Sequence, residues 1–206
     1  MKTVFMFSGQ GAQYAGMGKD LYKNYPVAKE IFDRADNVLG YSIKDICFED
    51  EQKLGETEFA QPAILTMSIA AMKVLEEEGV RADMTAGLSL GEYSAYVASE
   101  AMDFEEAVAL VQKRGKFMEE AVPSGEGAMY AIIGLDTALV EEACAEATAE
   151  GDGLAVPANY NAPGQIVIAG HAQAAKRAAA LAKEKGAKLT VPLKVSGPFH
   201  TELLQP

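Results

Sequence analysis

Residues 82–99 read ADMTAGLSLGEYSAYVAS, and this stretch decides the fold that the sequence predicts. At its centre is the pattern G-x-S-x-G around Ser89, in which a serine stands on a sharp turn between a strand and a helix. Residues 82–86 fit the preceding strand, and Glu92–Ser99 has the periodicity of the following helix. Glycines on both sides let neighbouring backbone pass close to the serine without a Cβ clash. The stretch therefore predicts an α/β fold with a candidate nucleophile at Ser89.

The chemistry of this turn depends on the helix that follows it. The N-terminal N–H groups of that helix would point at the serine and favour a developing oxyanion. The five residues alone are equally compatible with a glycine turn that carries an incidental serine. The strand before and the helix after the pattern favour the nucleophile.

The first part of the chain alternates short apolar runs with helical patterns. Thr3–Phe7 is an apolar run of β formers that ends in a glycine turn, Ser8-Gly9-Gln10-Gly11. Helices are predicted at Pro26–Val38, at Gln61–Glu78 with Pro62 in its first turn, and from Asp103 to a stop at Pro123.

The pattern changes after residue 126 to the element order β-α-β-β-α-β, which is typical of a ferredoxin-like unit. The predicted elements are Ala128–Gly134, Asp136–Glu150, Leu154–Asn159, Gln165–Ala169, Ala172–Lys185 and Lys188–Val195, and Asp136 is predicted to be the N-cap of the first helix. We therefore expect a small subdomain at 126–195, inserted into an α/β core formed by residues 1–125 and 196–206.

Composition excludes several classes of protein. The 206 residues are 49% hydrophobic and 23% charged, with a formal net charge of −12, which fits a globular protein and not a disordered one or a general nucleic-acid binder. Cys47 and Cys144 are far apart, so we expect free thiols in a reducing compartment and neither a zinc site nor a disulfide framework. With no signal-peptide core and no membrane span in the sequence, we expect a cytoplasmic protein.

A serine nucleophile needs a base, and the chain has two histidines. His171 begins an alanine-rich helix and fits an exposed residue of the cap region. His200 follows a Gly197-Pro198 turn and Phe199, where a loop could return to the serine. His200 is therefore the candidate base, and a surface loop histidine is the alternative.

Four blocks of sequence resemble a known family. They are Ser8-Gly9-Gln10-Gly11-Ala12-Gln13, Gly87-Leu88-Ser89-Leu90-Gly91-Glu92-Tyr93, Gln112-Lys113-Arg114-Gly115 and Ser196-Gly197-Pro198-Phe199-His200. In this order and at this spacing they closely resemble malonyl-CoA:acyl-carrier-protein transacylases of fatty acid synthesis. The resemblance covers essentially the whole chain.

The resemblance implies a hydrolase-like α/β core with a short parallel sheet and a ferredoxin-like insert. It implies that Ser89 accepts the acyl group, that His200 is its general base, and that the backbone N–H groups of Gln10 and Leu90 form the oxyanion hole. By the same resemblance, Arg114 pairs with the free malonyl carboxylate, which a guanidinium binds through two parallel hydrogen bonds.

Two of these residues have plain alternatives. Phe199 would narrow the pocket beside the malonyl α-carbon, or it is a packing residue. Arg114 has Lys113 and Lys116 beside it, and without the resemblance it would be part of a solvated helix face.

The implied reaction is an S-malonyltransferase reaction in two steps. Malonyl-CoA acylates the serine, and the phosphopantetheine thiol of acyl carrier protein then takes the malonyl group. No metal or cofactor, no nucleic acid and no membrane is implied, and we expect a monomer. The alternatives are a serine thioesterase or esterase, and a catalytically idle acyl-binding fragment.

The chain departs from the family pattern in three places. Leu88 stands where the family often has histidine, and Ser8 stands where it commonly has proline. The family also continues past the residues that correspond to Pro206, with a glutamine that orients the catalytic histidine. We therefore expect the C-terminal part to be missing here and the chain to be less stable and weakly active.

The acidic total hides a basic segment. Residues 171–200 carry six cations, Lys176, Arg177, Lys183, Lys185, Lys188 and Lys194, against Glu184 alone, so the segment is +5 and the rest is −17. Acyl carrier proteins are strongly acidic, so Arg177, Lys183, Lys185 and Lys188 are predicted to form part of a docking face. A solvated helix surface is the alternative.

Overall fold

The computed structural model describes residues 2–123, 125–193, 195 and 197–205, which fold into two compact units, Met1–Lys116 and Phe117–Pro206. The first unit contains β1 (Val4–Phe7), α1 (Lys19–Asn24), α2 (Pro26–Leu39), α3 (Ile43–Glu49), α4 (Glu51–Leu54), α5 (Thr57–Glu77), β2 (Met84–Gly87), α6 (Gly91–Ala98) and most of α7 (Phe104–Ala121). The second contains β3 (Gly127–Ile133), α8 (Thr137–Ala149), β4 (Ala155–Ala162), β5 (Gln165–His171), α9 (Ala172–Glu184), β6 (Leu189–Pro192) and a 3₁₀ turn, Glu202–Leu204.

The first unit is built on a parallel pair of strands. β1 and β2 pair with Phe7 opposite Gly87, so the loops that follow the two strands leave the same edge of the sheet. Helices α2, α3 and α5 pack into one apolar core around the fully buried Phe32, Leu65 and Ile69. The strand before Ser89 and the helix after it are therefore found where the sequence predicts them.

The glycines of the G-x-S-x-G pattern are dictated by backbone contacts. A Cβ on Gly91 would lie 2.2 Å from the carbonyl oxygen of Phe7, and a Cβ on Gly87 would lie 2.1 Å from the carbonyl carbon of Gly91. Real side-chain carbons do not approach backbone atoms so closely. The start of α6 can therefore pack against β1 and β2 only when both residues lack a side chain.

Helix α5 differs from its predicted bounds. It begins at Thr57, four residues before the predicted start at Gln61, so Pro62 lies inside the helix and not in its first turn. Thr57, Ala60 and Gln61 are completely buried. Tertiary packing of this additional turn thus outweighs the backbone hydrogen bond that an internal proline removes.

The second unit is an antiparallel sheet with two helices. Its elements follow the predicted order β-α-β-β-α-β, and its strands lie in the order β4-β5-β3-β6. Helices α8 and α9 cover one face, where Ile132, Ile166 and Ile168 are buried. The other face buries Met129, Val167, Ala169 and Phe199.

The strand ends of this unit differ from the prediction at two places. β4 runs to Ala162 through two irregularities in its pairing with β5, so the turn between them shortens to Pro163-Gly164. β6 ends at Pro192, three residues before the predicted end at Val195, although the N–H of Leu193 still bonds to the carbonyl of Met129 on β3 at 2.9 Å. Lys194, which was predicted to lie in this strand, is outside the described residues.

The predicted cap at Asp136 is confirmed, since its side chain accepts a hydrogen bond from the N–H of Ala138 at 3.0 Å.

The compact units do not follow the predicted domain boundaries. The sequence analysis places residues 117–125 and 196–206 with the core, whereas the contacts group them with the sheet of the second unit. Phe199 packs on that sheet, and a Cβ on Gly127 would lie 2.2 Å from the ring of Pro198. The assignment of these segments to the first domain stays a prediction.

Two further expectations concern the cysteines and membranes. Cys47 and Cys144 are free and buried, and burial raises the pKa of each thiol to about 12. No helix in the described part of the chain combines the length and the apolar character that crossing a bilayer requires.

The contact between α6 and β1 predicts a specific stability defect. Gly91→Ala should lower the free energy of unfolding by at least about 3 kcal/mol, because the new methyl group meets a carbonyl that cannot move away. Gly40→Ala is the matched control, since its φ of +73° is strained for alanine but nothing lies within 4 Å of the added carbon. The control should lose only about 1 kcal/mol. Equal losses in urea denaturation would contradict this account of the turn.

Candidate active site

Ser89 occupies a strained position between β2 and α6. Its φ is +52°, and the only other non-glycine residues with positive φ in the described residues are Glu100 and His200. A left-handed conformation costs a non-glycine residue about 1–2 kcal/mol. The surrounding backbone holds it, because the N–H of Gly91 bonds to the carbonyl of Leu88 at 2.9 Å and that of Glu92 to the carbonyl of Ser89 at 3.1 Å. Strain held in this way is typical of functional turns.

The guanidinium of Arg114 lies directly beside the serine hydroxyl. Arg114 Nη2 donates to Ser89 Oγ at 3.0 Å, and Arg114 Nη1 donates to Gln61 Oε1 at 2.8 Å. The three side chains come from α7, from the turn before α6 and from α5. The structure therefore brings the predicted nucleophile and the predicted carboxylate-binding residue together.

Arg114 lies in a partly desolvated environment. Burial lowers its pKa, while the nearby Tyr93 and Glu92 act in the opposite direction. Its guanidinium carbon is 5.7 Å from the centroid of the Tyr93 ring, within the range of a cation–π contact. An arginine keeps its proton in proteins, so a positive charge stands beside Ser89 at neutral pH. The exposed Lys113 and Lys116 lack this setting.

The loop after β1 lies against the turn that carries Ser89. A Cβ on Gly9 would lie 2.8 Å from the carbonyl oxygen of Leu88. Gln10 Nε2 donates to Thr57 Oγ1 at 3.1 Å, which ties the loop to the first turn of α5. Within the described part of the chain, no backbone hydrogen bond uses the N–H of Gln10 or of Leu90. Both N–H groups are thus without a backbone acceptor among the described residues.

The predicted base and the predicted pocket residue lie in the second unit. His200 is exposed and has a φ of +60°, whereas Phe199 is 5% exposed and packs on the sheet with Met129 and Val167. The burial of Phe199 fits the packing alternative. Ser196, the first residue of the block that contains both, lies outside the described residues.

The other histidine has a structural task. His171 Nδ1 accepts a hydrogen bond from the N–H of Leu154 at 2.9 Å. Its ring therefore links the end of β5 to the residue before β4. This agrees with the expectation that His171 is a residue of the cap region.

The predicted docking cations are not all alike. Arg177 pairs with Glu150 at 2.8 Å, and Lys185 pairs with Glu146 at 3.0 Å and Glu142 at 3.2 Å. Lys183 donates to the carbonyl of Lys188 at 3.1 Å, and both of these lysines are exposed. Carboxylates therefore offset part of the positive charge that the sequence places on this face.

An apolar groove of about 340 Å³ in the first unit does not involve the serine. β1 and α5 line it, together with Tyr14 and Met17, and the lining includes neither Ser89 nor Arg114. Among the described residues β1 pairs with β2 alone, and Met6 on β1 is 82% exposed.

The family model for the acyl transferase domain matches residues 4–201. The chain belongs to the acyl transferase family. The family resemblance of the four sequence blocks is thereby confirmed.

Individual acyl transferases are similar over the full length of this chain. The malonyl CoA-acyl carrier protein transacylase of Bacillus subtilis (strain 168) is 52% identical over 206 residues, which is 100% of this chain and 65% of that protein. The crystal structure of the Streptococcus pneumoniae MCAT is 56% identical with a TM-score of 0.91, over 98% of this chain and 66% of that one.

A third relative is a complex. A structure of a type II PKS acyl-carrier protein with its malonyl-transacylase matches with a TM-score of 0.94 and 43% identity, over 99% of this chain and 66% of that one. This acyl transferase chain thus spans about 65% of the length of the curated relatives it matches.

Three residues that lie around Arg114 and Gln10 were not predicted from the sequence. Gln61 and Thr57 are buried polar side chains that contact Arg114 and Gln10, and Tyr93 lies beside the guanidinium. Gln61 sits among apolar residues of a long helix, and a polar side chain there is a signal, because burial requires a partner. The sequence does not say which partner.

Proposed function

We propose that this chain carries out malonyl transfer from CoA to the phosphopantetheine thiol of acyl carrier protein, through an ester on Ser89. The observation that supports this most strongly is the 3.0 Å contact between Arg114 Nη2 and Ser89 Oγ. In a malonyl ester the free carboxylate is separated from the ester carbonyl by a single CH2 group. A guanidinium beside the ester oxygen is therefore within reach of that carboxylate.

The first step forms one bond and breaks another. Ser89 Oγ attacks the thioester carbonyl, the C–S bond breaks, and CoA leaves with the proton that the serine gives up. Because Arg114 donates to Oγ, it uses a lone pair of the oxygen and leaves the serine proton for a base. His200 is the proposed base. In the second step it takes the proton of the carrier thiol, whose sulfur attacks the ester carbonyl; the bond from that carbon to Ser89 Oγ then breaks, and Oγ regains a proton from His200.

The oxyanion of both steps needs hydrogen-bond donors. We propose the backbone N–H groups of Gln10 and Leu90, which follow the paired strands β1 and β2 and for which the described residues show no backbone acceptor. Removing one such donor typically costs about 3–4 kcal/mol of transition-state stabilisation. Phe199 is also proposed as a pocket residue, although packing on the sheet explains its burial.

The fold is proposed to be the hydrolase-like core with a ferredoxin-like subdomain. The parallel pair β1–β2 that leads into the serine turn supports the first part. The sheet order β4-β5-β3-β6, with both helices on one face, supports the second.

The proposed function predicts a covalent adduct. The 206-residue chain incubated with malonyl-CoA should gain the mass of one malonyl group, and Ser89→Ala should gain none, because the ester oxygen is absent. Intact-mass spectrometry is the measurement. An unmodified wild-type chain would refute the proposal.

The fate of the adduct separates transfer from hydrolysis. If the adduct persists in buffer and disappears when holo acyl carrier protein is added, the chain is a transferase. Rapid loss in buffer alone would instead identify a thioesterase.

We also propose that two exposed lysines, Lys183 on α9 and Lys188 just before β6, contribute to docking of the carrier. The similar malonyl-transacylase forms a complex with an acyl-carrier protein, and acidic carriers are attracted to exposed cations. Lys183 and Lys188 fit this role better than Arg177 and Lys185, whose charges Glu150, Glu142 and Glu146 offset.

Charge reversal tests this assignment. Lys183→Glu with Lys188→Glu should raise the KM for the carrier roughly two- to tenfold and leave the KM for malonyl-CoA unchanged, since only the carrier contacts this face. Lys23→Glu, an exposed change in α1, is the control. Equal carrier kinetics in all three proteins would exclude the docking face.

A further inference from the structure

The guanidinium of Arg114 contacts two side chains besides Ser89. Nη1 bonds to Gln61 Oε1 at 2.8 Å, and the centroid of the Tyr93 ring is 5.7 Å from the guanidinium carbon. Gln61 has no exposed surface, so its side chain has little freedom to move away. The other terminal nitrogen, Nη2, donates to Ser89 Oγ.

Gln61 binds Arg114 through a neutral amide oxygen and not through a carboxylate. Among the described residues no carboxylate forms an ion pair with Arg114, although Arg34 and Arg177 both have such partners. A partly buried guanidinium needs an acceptor, because an unsatisfied buried donor is costly. An amide oxygen satisfies one N–H without cancelling the charge. A glutamate at the same place would take the planar fork by a bidentate bond and neutralise it.

The turn of α5 that carries Gln61 makes a second polar contact with the site. One turn of α5 carries Thr57, which binds the Gln10 side chain, and Gln61, which binds Arg114. A Cβ on Gly115, the residue after Arg114, would lie 2.6 Å from the carbonyl oxygen of Thr57, so α7 is pressed against this same turn. The turn therefore fixes both the backbone of α7 and the direction of the guanidinium.

We infer that Gln61 is a positioning residue. It orients Arg114 without neutralising the positive charge of the guanidinium, and so sets the preference for acyl groups that carry a carboxylate. The substrate class is a thioester whose acyl chain bears an anionic group next to the α-carbon. The inference rests on the proposed function at Ser89. It adds that the preference depends on a neutral amide outside the reacting groups.

The test compares malonyl-CoA and acetyl-CoA as acylating agents. The rate of adduct formation on Ser89 is followed by intact mass for wild type, Gln61→Glu, Gln61→Met and Gln52→Glu. Gln61→Glu should reduce malonyl acylation about 10- to 100-fold, the range expected when one hydrogen bond to a charged group is lost, and change acetyl acylation less than about threefold. Gln61→Met should lower malonyl acylation about tenfold.

The control separates position from charge. Gln52→Glu makes the same change on an exposed residue of α4, and it should alter neither rate. An unchanged malonyl-to-acetyl ratio in Gln61→Glu, or an equal loss of both rates in Gln61→Met, would overturn the inference, because a purely structural residue would affect both substrates alike.

A second measurement does not depend on activity. Side-chain nitrogen NMR of the wild-type chain should show slow rotation of the Arg114 guanidinium and fast rotation of the exposed Arg81. Arg114→Ala assigns the signal, and Gln61→Met should make the rotation fast. Fast rotation in wild type would overturn the inference even if the Gln61 variants fail to fold. If wild type accepts neither acyl group, the proposed function is wrong, and the NMR result alone decides whether Gln61 holds the guanidinium.

Discussion

The contact on which the site depends is the hydrogen bond from Arg114 to Ser89. It joins a helix that begins at residue 104 to a turn that begins at residue 88, and the first turns of α5 contact the same guanidinium through Gln61. Thr57 and Gln61 are completely buried there, and each makes a polar contact with a residue of the site. A buried polar side chain that is satisfied by one specific partner fixes geometry more tightly than apolar packing does.

A second constraint is steric. β1, β2 and the start of α6 approach so closely that Gly87 and Gly91 cannot carry a side chain. This packing places Ser89 at φ +52°, a conformation that an isolated chain would rarely adopt. The strain is balanced by the contacts around the turn, so the serine is presented without a search through other conformations. Stability and presentation of the nucleophile thus have the same origin.

Local patterns in the sequence predicted the strands and long helices well, since periodicity and glycine turns report directly on them. The serine turn, the cap at Asp136 and the order of elements in the second unit are examples. The short helices α1, α3 and α4 were missed, although Ser42 and Asp50 cap the last two. The start of α5, the anchor at Gln61 and the carboxylate partners of Arg177 and Lys185 could not be predicted, because each depends on residues distant in sequence.

The proposal that matters most is that the guanidinium of Arg114 receives the carboxylate of an acyl group on Ser89 while Gln61 stays bonded to Arg114. A crystal structure of the chain with a malonyl ester on Ser89 tests it most directly. We predict that the carboxylate replaces Ser89 Oγ as the acceptor of Arg114 Nη2, with Gln61 Oε1 still bonded to Nη1. A carboxylate bound elsewhere, or a guanidinium that has left Gln61, would contradict the account.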